Sequence, residues 1–184
     1  ADSRGQPSAR VVLCKEILPQ PGLLTFYTNY RSRKGRELES NARAAIVMHW
    51  DHLHRQLRIE GQVVRASEAT SDAYFASRNW QSRLGAWASE QSQPLAARAD
   101  LLKAVARTAL RFALPEPVDE GQADPGQRIP RPPHWGGYHL WAEAVELWVE
   151  GSARIHDRAR WTRELAREGD GFRAGPWSAS RLQP

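Results

Sequence analysis

The sequence predicts a mainly antiparallel β-barrel with flanking helices. Short runs of strand-forming residues alternate with tight-turn motifs, and two longer stretches have the apolar spacing of helices. About six or seven strands connected in this way favour antiparallel pairing, because parallel strands need long crossover connections. A doubly wound fold is disfavoured, since no strand precedes Gly-x-Gly-x-x-Gly or the phosphate loop Gly-x-x-x-x-Gly-Lys-Ser/Thr.

The N-terminal part of the sequence predicts a hairpin followed by a short helix. β-branched residues at 10–15 and strand formers at 23–28 flank Pro-Gln-Pro-Gly at 19–22, which is a strong turn motif. Ser32 is suited to cap a helix that runs through Glu39. We therefore expect two paired strands to lead directly into a helix N-terminus.

The period-two alternation at residues 56–65 predicts a strand with one wet face. In this run Leu57, Ile59 and Val63 alternate with charged and amide side chains. The other predicted elements are helices that open at Ser67 and span 95–112, and strands at 44–50, 138–141, 145–149, near Arg160 and 177–182.

The length of 184 residues predicts one domain that spans the whole chain. Residues 114–133 are rich in Pro, Gly, Asp and Gln, which predicts an exposed loop within the domain, because strands follow it. The turn at residues 2–7 predicts a strand before it, so we expect the first strand of the domain to lie upstream.

Composition and charge indicate which kinds of partner the protein can bind. The formal net charge is +5, but arginines alternate with acids along the chain, which favours a solvated surface over nucleic-acid binding. The single cysteine, Cys14, stands in an apolar stretch and suits a reducing compartment such as the cytoplasm. No apolar run approaches the roughly 20 residues that span a bilayer, so no membrane association is expected. The histidines lack metal-ligand spacing, and no metal is predicted.

Three clusters of residues have the chemistry of anion binding. Ser-Arg-Lys-Gly-Arg at 32–36 crowds cations at a helix start that is already positive, so a bound phosphate would relieve an unfavourable arrangement. A solvated basic turn is the alternative. A second phosphate could bind to Tyr74 and Arg78, which are at helical spacing, and to Ser82 in the loop beyond. The alternative is a tyrosine in the core and an arginine at a helix end, which would give the same pattern.

The third cluster combines Trp148 with Arg-Ile-His-Asp-Arg at 154–158. An aromatic ring, two guanidinium groups and an imidazole suit a planar anionic ligand. A charged hairpin beside a core tryptophan is an equally good interpretation of the same residues.

These clusters and several longer motifs, in this order, closely resemble the pyridoxamine 5'-phosphate oxidase family. The resemblance runs from near Gly5 to the C-terminus. The longer motifs are Arg-Val-Val-Leu-Cys-Lys at 10–15, Phe-Tyr-Thr-Asn at 26–29, Ser-Arg-Leu-Gly-Ala-Trp-Ala-Ser at 82–89, Pro-Arg-Pro-Pro-His-Trp-Gly-Gly at 130–137 and Arg-Leu-Gln-Pro at 181–184.

The resemblance implies an FMN-binding split β-barrel and a homodimer with FMN at the subunit interface. It also implies that the family's N-terminal segment is absent from this sequence. The matching cofactor positions are Arg10, Val11, Val12, Leu13, Cys14, Lys15, Tyr27, Thr28, Arg33, Lys34, Gln56, Gln91, Ser92, Trp148 and Arg158.

The implied reaction is the oxidation of pyridoxamine or pyridoxine 5'-phosphate to pyridoxal 5'-phosphate, with dioxygen as acceptor and hydrogen peroxide as product. By resemblance Arg154 and His156 are the catalytic residues, which orient the pyridine ring and stabilise charge. The matching substrate positions are Lys15, Tyr74, Arg78, Ser82, Arg154, Ile155 and His156.

The sequence departs from the family pattern at two places near these positions. The family usually has Arg-Pro before the substrate serine loop, where this chain reads Arg78-Asn79-Trp80-Gln81-Ser82, and Val149-Glu150 follows Trp148 where Gln-Gly is usual. Two alternative functions therefore stay open. One is a related FMN-dependent oxidase of the phenazine-biosynthesis type, and the other is a non-catalytic flavin or pyridoxal phosphate binding protein.

Overall fold

The computed structural model describes residues 1–117 and 122–184. In this part of the chain nine strands and four α-helices are formed. The strands are β1 (Cys14–Leu18), β2 (Leu23–Asn29), β3 (Arg43–Trp50), β4 (Arg55–Arg65), β5 (Trp135–Val149), β6 (Asp157–Thr162), β7 (Leu165–Glu168), β8 (Gly171–Ala174) and β9 (Ser178–Leu182). The helices are α1 (Arg33–Ser40), α2 (Glu68–Ser77), α3 (Trp80–Ala88) and α4 (Arg98–Arg111).

Seven of the described strands form one sheet. Its main path is β1-β2-β5-β4-β3, while β6 pairs with β5 and β9 pairs with β6. The remaining two strands, β7 and β8, form a separate hairpin. The pairs β1–β2, β3–β4, β5–β6, β6–β9 and β7–β8 are all antiparallel, as the short connections in the sequence predicted.

The chain divides into two compact units. Unit 1 comprises Ala1–Phe26, Ser40–Val64 and His139–Pro184, and its buried apolar residues include Leu24, Ile59 and Leu140. Unit 2 comprises Tyr27–Glu39 and Arg65–Tyr138. The core of unit 2 is a cluster in which α2, α3 and α4 contribute Phe75, Trp80, Leu84 and Ala109, joined by Leu114, Ile129 and Trp135.

The structure corrects the predicted N-terminal hairpin. β1 runs from Cys14 to Leu18 instead of over 10–15, because the ladder with β2 begins at the pair Cys14↔Phe26. The β-branched residues before Cys14 favour an extended backbone, but a strand also needs a partner. No ladder partner is found for them among the described residues.

The structure also joins and adds elements in the second half of the chain. The strands predicted at 138–141 and 145–149 are one strand, β5, since the weak strand former Ala144 is buried and pairs with Thr162. Ser82 was expected in a loop, but it lies in α3, which Asn79 caps. The hairpin β7–β8 was not predicted.

The predicted loop at 114–133 has no regular secondary structure where it is described. Most of its residues are exposed, whereas Leu114, Ile129 and Pro132 are buried. Residues 118–121, which belong to the same predicted loop, lie outside the described residues.

Candidate functional site

Helix α1 begins with a cap that the sequence predicted. The Ser32 hydroxyl is fully buried and accepts the Gly35 N–H at 3.2 Å. The first turn of α1 contains no acidic residue, so the positive end of the helix dipole coincides with Arg33 and Lys34. Arg33 is stabilised by Glu37 one turn later, with Nε 2.8 Å from the carboxylate oxygen.

Three predicted cofactor residues meet beside this helix start, and we call Thr28, Lys34 and Gln91 the α1 cluster. The Lys34 ammonium donates to the Thr28 hydroxyl at 2.8 Å, and that hydroxyl donates to the Gln91 side-chain oxygen at 3.3 Å. Thr28 is buried, and Ser92, next to Gln91, holds φ +72°. A non-glycine residue in this region is strained, and such strain is concentrated at ligand-binding sites.

Tyr74, Arg78 and Ser82, which we call the α2 cluster, form the second predicted site of unit 2. Tyr74 stacks on Tyr27 with ring centroids 3.9 Å apart, and both rings lie nearly parallel to Trp135. The Arg78 guanidinium carbon lies 4.7 Å from the Trp135 ring centroid. The cation at the C-terminal end of α2 thus lies against Trp135, whose ring is held by Tyr27 and Tyr74.

Arg78 is the residue of this cluster that is most in need of an anion. Its Nη1 is buried and has no hydrogen-bond partner among residues 1–117 and 122–184. Burial lowers the pKa of the guanidinium below its ordinary value, and the Tyr74 hydroxyl acts in the opposite direction. A buried donor without a partner is costly, and a ligand phosphate would satisfy it.

The departure from the family pattern at Asn79 has a structural reason. The Asn79 side chain accepts the Ser82 N–H at 2.8 Å and is the N-cap of α3. Trp80 is then buried in the core of unit 2. Asn79 therefore starts a helix directly after Arg78 and places Ser82 in its first turn, where a hydroxyl and backbone N–H groups suit an anion.

In unit 1 the end of the β5–β6 hairpin brings together Trp148, His156 and Arg158. Trp148 lies opposite Arg158 in the strand register, and the Trp148 and His156 ring centroids are 4.6 Å apart. The Gly151 N–H donates to His156 Nδ1 at 3.2 Å. Because Nδ1 accepts this bond, the neutral imidazole carries its proton on Nε2.

The turn of this hairpin presents Arg154 and Ile155 outward. Ala153 and Arg154 are consecutive residues with positive φ, at +53° and +64°, and Ile155 is 73% exposed. Arg154 has no hydrogen bond or ion pair within the described residues. A strained turn that holds an unpaired arginine at its tip is consistent with the predicted contact to a ligand.

Arg158 is held by a carboxylate that the sequence reasoning missed. Glu146 is 4% exposed and accepts from Arg158 Nε at 3.1 Å and from Nη2 at 2.8 Å. Arg58 and Arg160 also contact Glu146, at 2.7 and 3.5 Å. Burial alone would raise the pKa of Glu146, but the hydrogen bond from Arg158 and the three positive charges lower it below its ordinary value.

The remaining predicted residues of unit 1 are less closely grouped. Lys15 lies at a β-bulge, because Cys14 pairs with Phe26 while Glu16 pairs with Thr25. Bulges redirect side chains and occur often beside active sites. Gln56 is half-buried on β4. The segment from Arg10 to Leu13 precedes β1, and its Val11 and Leu13 side chains are exposed.

Two residues of the site were not predicted, Trp135 and Glu146. Trp135 stands in the Pro-rich motif that carries the resemblance, yet only the fold shows its ring under Arg78. Glu146 shares the face of β5 with Trp148 by strand parity, and this was the one available indication of its position.

The likeness to solved structures supports the split-barrel fold class. The chain is similar to a solved structure of PhzG from Burkholderia lata 383 in complex with tetrahydrophenazine-1-carboxylic acid, with 30% identity and a TM-score of 0.78, covering 100% of this chain and 79% of PhzG. It also resembles a pyridoxamine 5'-phosphate oxidase-related, FMN binding protein from Nostoc punctiforme, with 17% identity and a TM-score of 0.65, covering 100% of this chain and 83% of that protein. The predicted split barrel of mostly antiparallel strands is confirmed.

Two family models match the sequence. The model for pyridoxamine 5'-phosphate oxidase matches residues 1–111, and the model for the pyridoxine 5'-phosphate oxidase C-terminal dimerisation region matches residues 135–184. Among curated relatives, the pyridoxine/pyridoxamine 5'-phosphate oxidase of Cereibacter sphaeroides is 45% identical over 183 residues, which cover 100% of this chain and 80% of that protein. The Paraburkholderia phymatum protein of the same name is 46% identical over 184 residues, covering 100% and 76%.

The chain belongs to the pyridoxamine 5'-phosphate oxidase family and is an oxidase of that family. The resemblance drawn from the motifs is thereby confirmed. In the part of the chain that is described, no helix combines the length and apolar character needed to traverse a bilayer.

Proposed function

We propose that this enzyme oxidises pyridoxamine 5'-phosphate or pyridoxine 5'-phosphate to pyridoxal 5'-phosphate. FMN is the proposed cofactor, dioxygen the acceptor and hydrogen peroxide the product. The observation that carries the proposal is the pair of cationic clusters in unit 2, built around Lys34 and Arg78. FMN and the vitamer each bring one phosphate, so the reaction needs two such clusters.

The α1 cluster is the proposed site of the cofactor phosphate. The Lys34 ammonium lies beside the N-terminal end of α1, where backbone N–H groups and the helix dipole also favour an anion. Thr28 and Gln91 fix the position of Lys34 through a short chain of hydrogen bonds. When bound, FMN supplies the acceptor for the hydride equivalent that leaves the substrate carbon bearing the amine or alcohol.

The α2 cluster is the proposed site of the vitamer phosphate. Arg78 would donate its buried Nη1 to a phosphate oxygen, with Tyr74 and Ser82 as further donors. Because the Trp135 and Phe75 rings lie against Arg78 and exclude water from that side, its charge would act on the phosphate with less screening. The cluster anchors the substrate at a group that does not react.

Arg154 and His156 are the proposed catalytic residues. The hydrogen bond from Gly151 leaves the Nε2–H of His156 as a fixed donor, and Arg154 supplies a positive charge from the tip of the same turn. Both groups can polarise the pyridine ring and stabilise charge as the carbon–hydrogen bond breaks. We further propose a homodimer with FMN at the subunit interface, which the match of residues 135–184 to a dimerisation region supports.

A related oxidase of the phenazine-biosynthesis type is the second candidate, favoured by the likeness to PhzG. The two are separated by an assay of the purified chain saturated with FMN. The expected result is oxygen-dependent formation of pyridoxal 5'-phosphate from either vitamer. Bound FMN with turnover of tetrahydrophenazine-1-carboxylic acid alone would favour the second candidate.

An Arg154→Ala variant tests the proposed catalytic site in the same assay. It should lose most of the turnover, because the exposed tip of the turn then has no cation. Arg173→Ala is the matched control, since Arg173 is an exposed arginine on β8 of the separate hairpin. Equal turnover in both variants would contradict the role proposed for Arg154.

A further inference from the structure

The polar face around Glu146 contains all three predicted cofactor residues of β4, β5 and β6. Side chains two positions apart on a strand share a face. Gln56 therefore shares the face of Arg58, and Trp148 shares that of Glu146. The Arg58–Glu146 hydrogen bond of 2.7 Å shows that the Gln56–Arg58 side chains of β4 and the Glu146–Trp148 side chains of β5 lie on the same face of the sheet. Arg158 lies opposite Trp148 in the register of the hairpin.

Glu146 divides its two oxygens between different partners. Oε1 accepts both bonds from Arg158, while Oε2 faces Arg58 at 2.7 Å and Arg160 at 3.5 Å. Arg158 Nη1 also donates to the Gln183 carbonyl at 2.9 Å. Three N–H groups of Arg158 are thus committed, and of its five N–H groups two have no protein partner among the residues described.

A buried carboxylate surrounded by arginines is a poor way to stabilise a fold, since desolvation offsets much of the attraction. Such a network is better suited to fixing geometry. An arginine side chain is long and flexible, and ordering it only when a ligand binds would weaken the complex. Glu146 and Gln183 fix the Arg158 guanidinium beforehand, with two donors still available.

We infer that Glu146 is a positioning residue that orders Arg158 for binding of the flavin cofactor. This inference rests on the proposed function, because Arg158 is a cofactor residue only there. Glu146 is buried under the guanidinium group and acts through Arg158 instead of touching the ligand. Arg58 and Arg160 balance its charge from the other side.

The test is a double-mutant cycle on FMN affinity, measured by the quenching of FMN fluorescence on titration with the apoprotein. Glu146→Gln keeps the shape but removes the charge, and it should weaken FMN binding about tenfold or more. In an Arg158→Lys background the same change should add less than about threefold, because the residue through which it acts is altered. The absorption spectrum of the bound flavin should shift in Glu146→Gln as well.

Glu60→Gln is the matched control, since Glu60 pairs with Arg58 and Arg160 in the same network but does not contact Arg158. It should leave FMN affinity within about twofold of the unaltered chain. Thermal melting of the apoproteins checks folding. If Glu146→Gln fails to fold, Glu146→Asp, which keeps the charge but shortens the reach, replaces it in the cycle with the same expected direction.

Unchanged or tighter FMN binding by Glu146→Gln would overturn the inference and show that Glu146 only neutralises charge. Equal losses in both backgrounds, or an equal loss in Glu60→Gln, would also overturn it. Failure of the unaltered chain to bind FMN would overturn the proposed function and this inference together.

Discussion

The guanidinium carbon of Arg78 lies 4.7 Å from the ring centroid of Trp135, with Nη1 of the same arginine buried and unpartnered within the described residues. The indole face offsets part of the cost of desolvating the cation, but it supplies no acceptor for the buried N–H. The cost of this buried N–H without an acceptor is the physical basis for assigning an anion to the α2 cluster.

Arg78→Met should weaken the binding of the substrate phosphate without lowering the stability of the apoprotein. Arg78 is half-buried and its Nη1 has no acceptor, so its removal should leave the apoprotein at least as stable as the unaltered chain, within about 1 kcal/mol. The KM for pyridoxamine 5'-phosphate should rise about tenfold to a hundredfold, since a charge-assisted bond to phosphate is lost. Thermal melting and steady-state kinetics measure the two effects.

Arg111→Met is the control for Arg78→Met, because the Arg111 guanidinium also lies 4.7 Å from a tryptophan ring centroid, that of Trp87. The KM of the Arg111→Met variant for pyridoxamine 5'-phosphate should equal that of the unaltered enzyme. A large loss of apoprotein stability in Arg78→Met with unchanged KM would show that Arg78 stabilises the core of unit 2 and does not bind the substrate phosphate.

Lys34→Met should weaken the binding of FMN far more than that of riboflavin. The Lys34 ammonium is held beside the start of α1 by Thr28, and riboflavin lacks the phosphate that we place there. We expect a loss of about tenfold or more for FMN and little change for riboflavin. Arg107→Met, which removes an exposed cation of α4 away from this helix start, should change neither affinity. Equal losses for both ligands would place the phosphate elsewhere.

Local patterns in the sequence predicted much of the fold. The cap at Ser32, the strand β4 and the helix α4 each follow from residues close in the chain, and the structure confirms them. Of the apolar residues that predicted α4, Ala109 is buried, whereas Leu102 and Leu110 are exposed. β5 was predicted as two strands because Ala142–Ala144 are weak strand formers. Ala142 and Ala144 are buried and Ala144 pairs with Thr162 of β6, and these tertiary effects override the weak propensity.

The candidate site was predictable in its residue types but not in its contacts. The sequence singled out Lys34 through the cations around it and Arg78 through its helical spacing from Tyr74, and the resemblance added Gln91. The hydrogen bond from Thr28 to Gln91 joins residues 63 positions apart, which no local pattern reveals. Glu146 was missed for a similar reason, because its importance comes from arginines on two other strands.

The neutral imidazole of His156 should carry its proton on Nε2 and not on Nδ1. The Gly151 N–H points at Nδ1 from 3.2 Å, so a proton on Nδ1 would place two donors face to face. Nitrogen-15 NMR of the imidazole distinguishes the two tautomers. Gly151→Ala should weaken the preference for the proton on Nε2, because a Cβ at residue 151 would collide with the Ile155 carbonyl oxygen and disrupt the turn. A proton found on Nδ1 in the unaltered chain would contradict the geometry of the turn.

Glu146 should make the stability of the apoprotein depend on pH in the acid range. Its pKa in the folded chain is lowered, chiefly by Arg158 and the neighbouring charges acting against burial. A carboxyl group with a depressed folded pKa contributes its full stability above the unfolded pKa of about 4.3 and loses it as pH falls through the folded value. Above about pH 5, Glu146→Gln should therefore be less stable than the unaltered chain by roughly 3 kcal/mol. That difference should shrink on acidification, as measured by urea unfolding between pH 6 and pH 3.

Glu168→Gln, which alters an exposed acid on β7, is the control and should leave the dependence of stability on pH unchanged. A difference that stays constant across the whole range would show that Glu146 contributes through its shape and not through its charge.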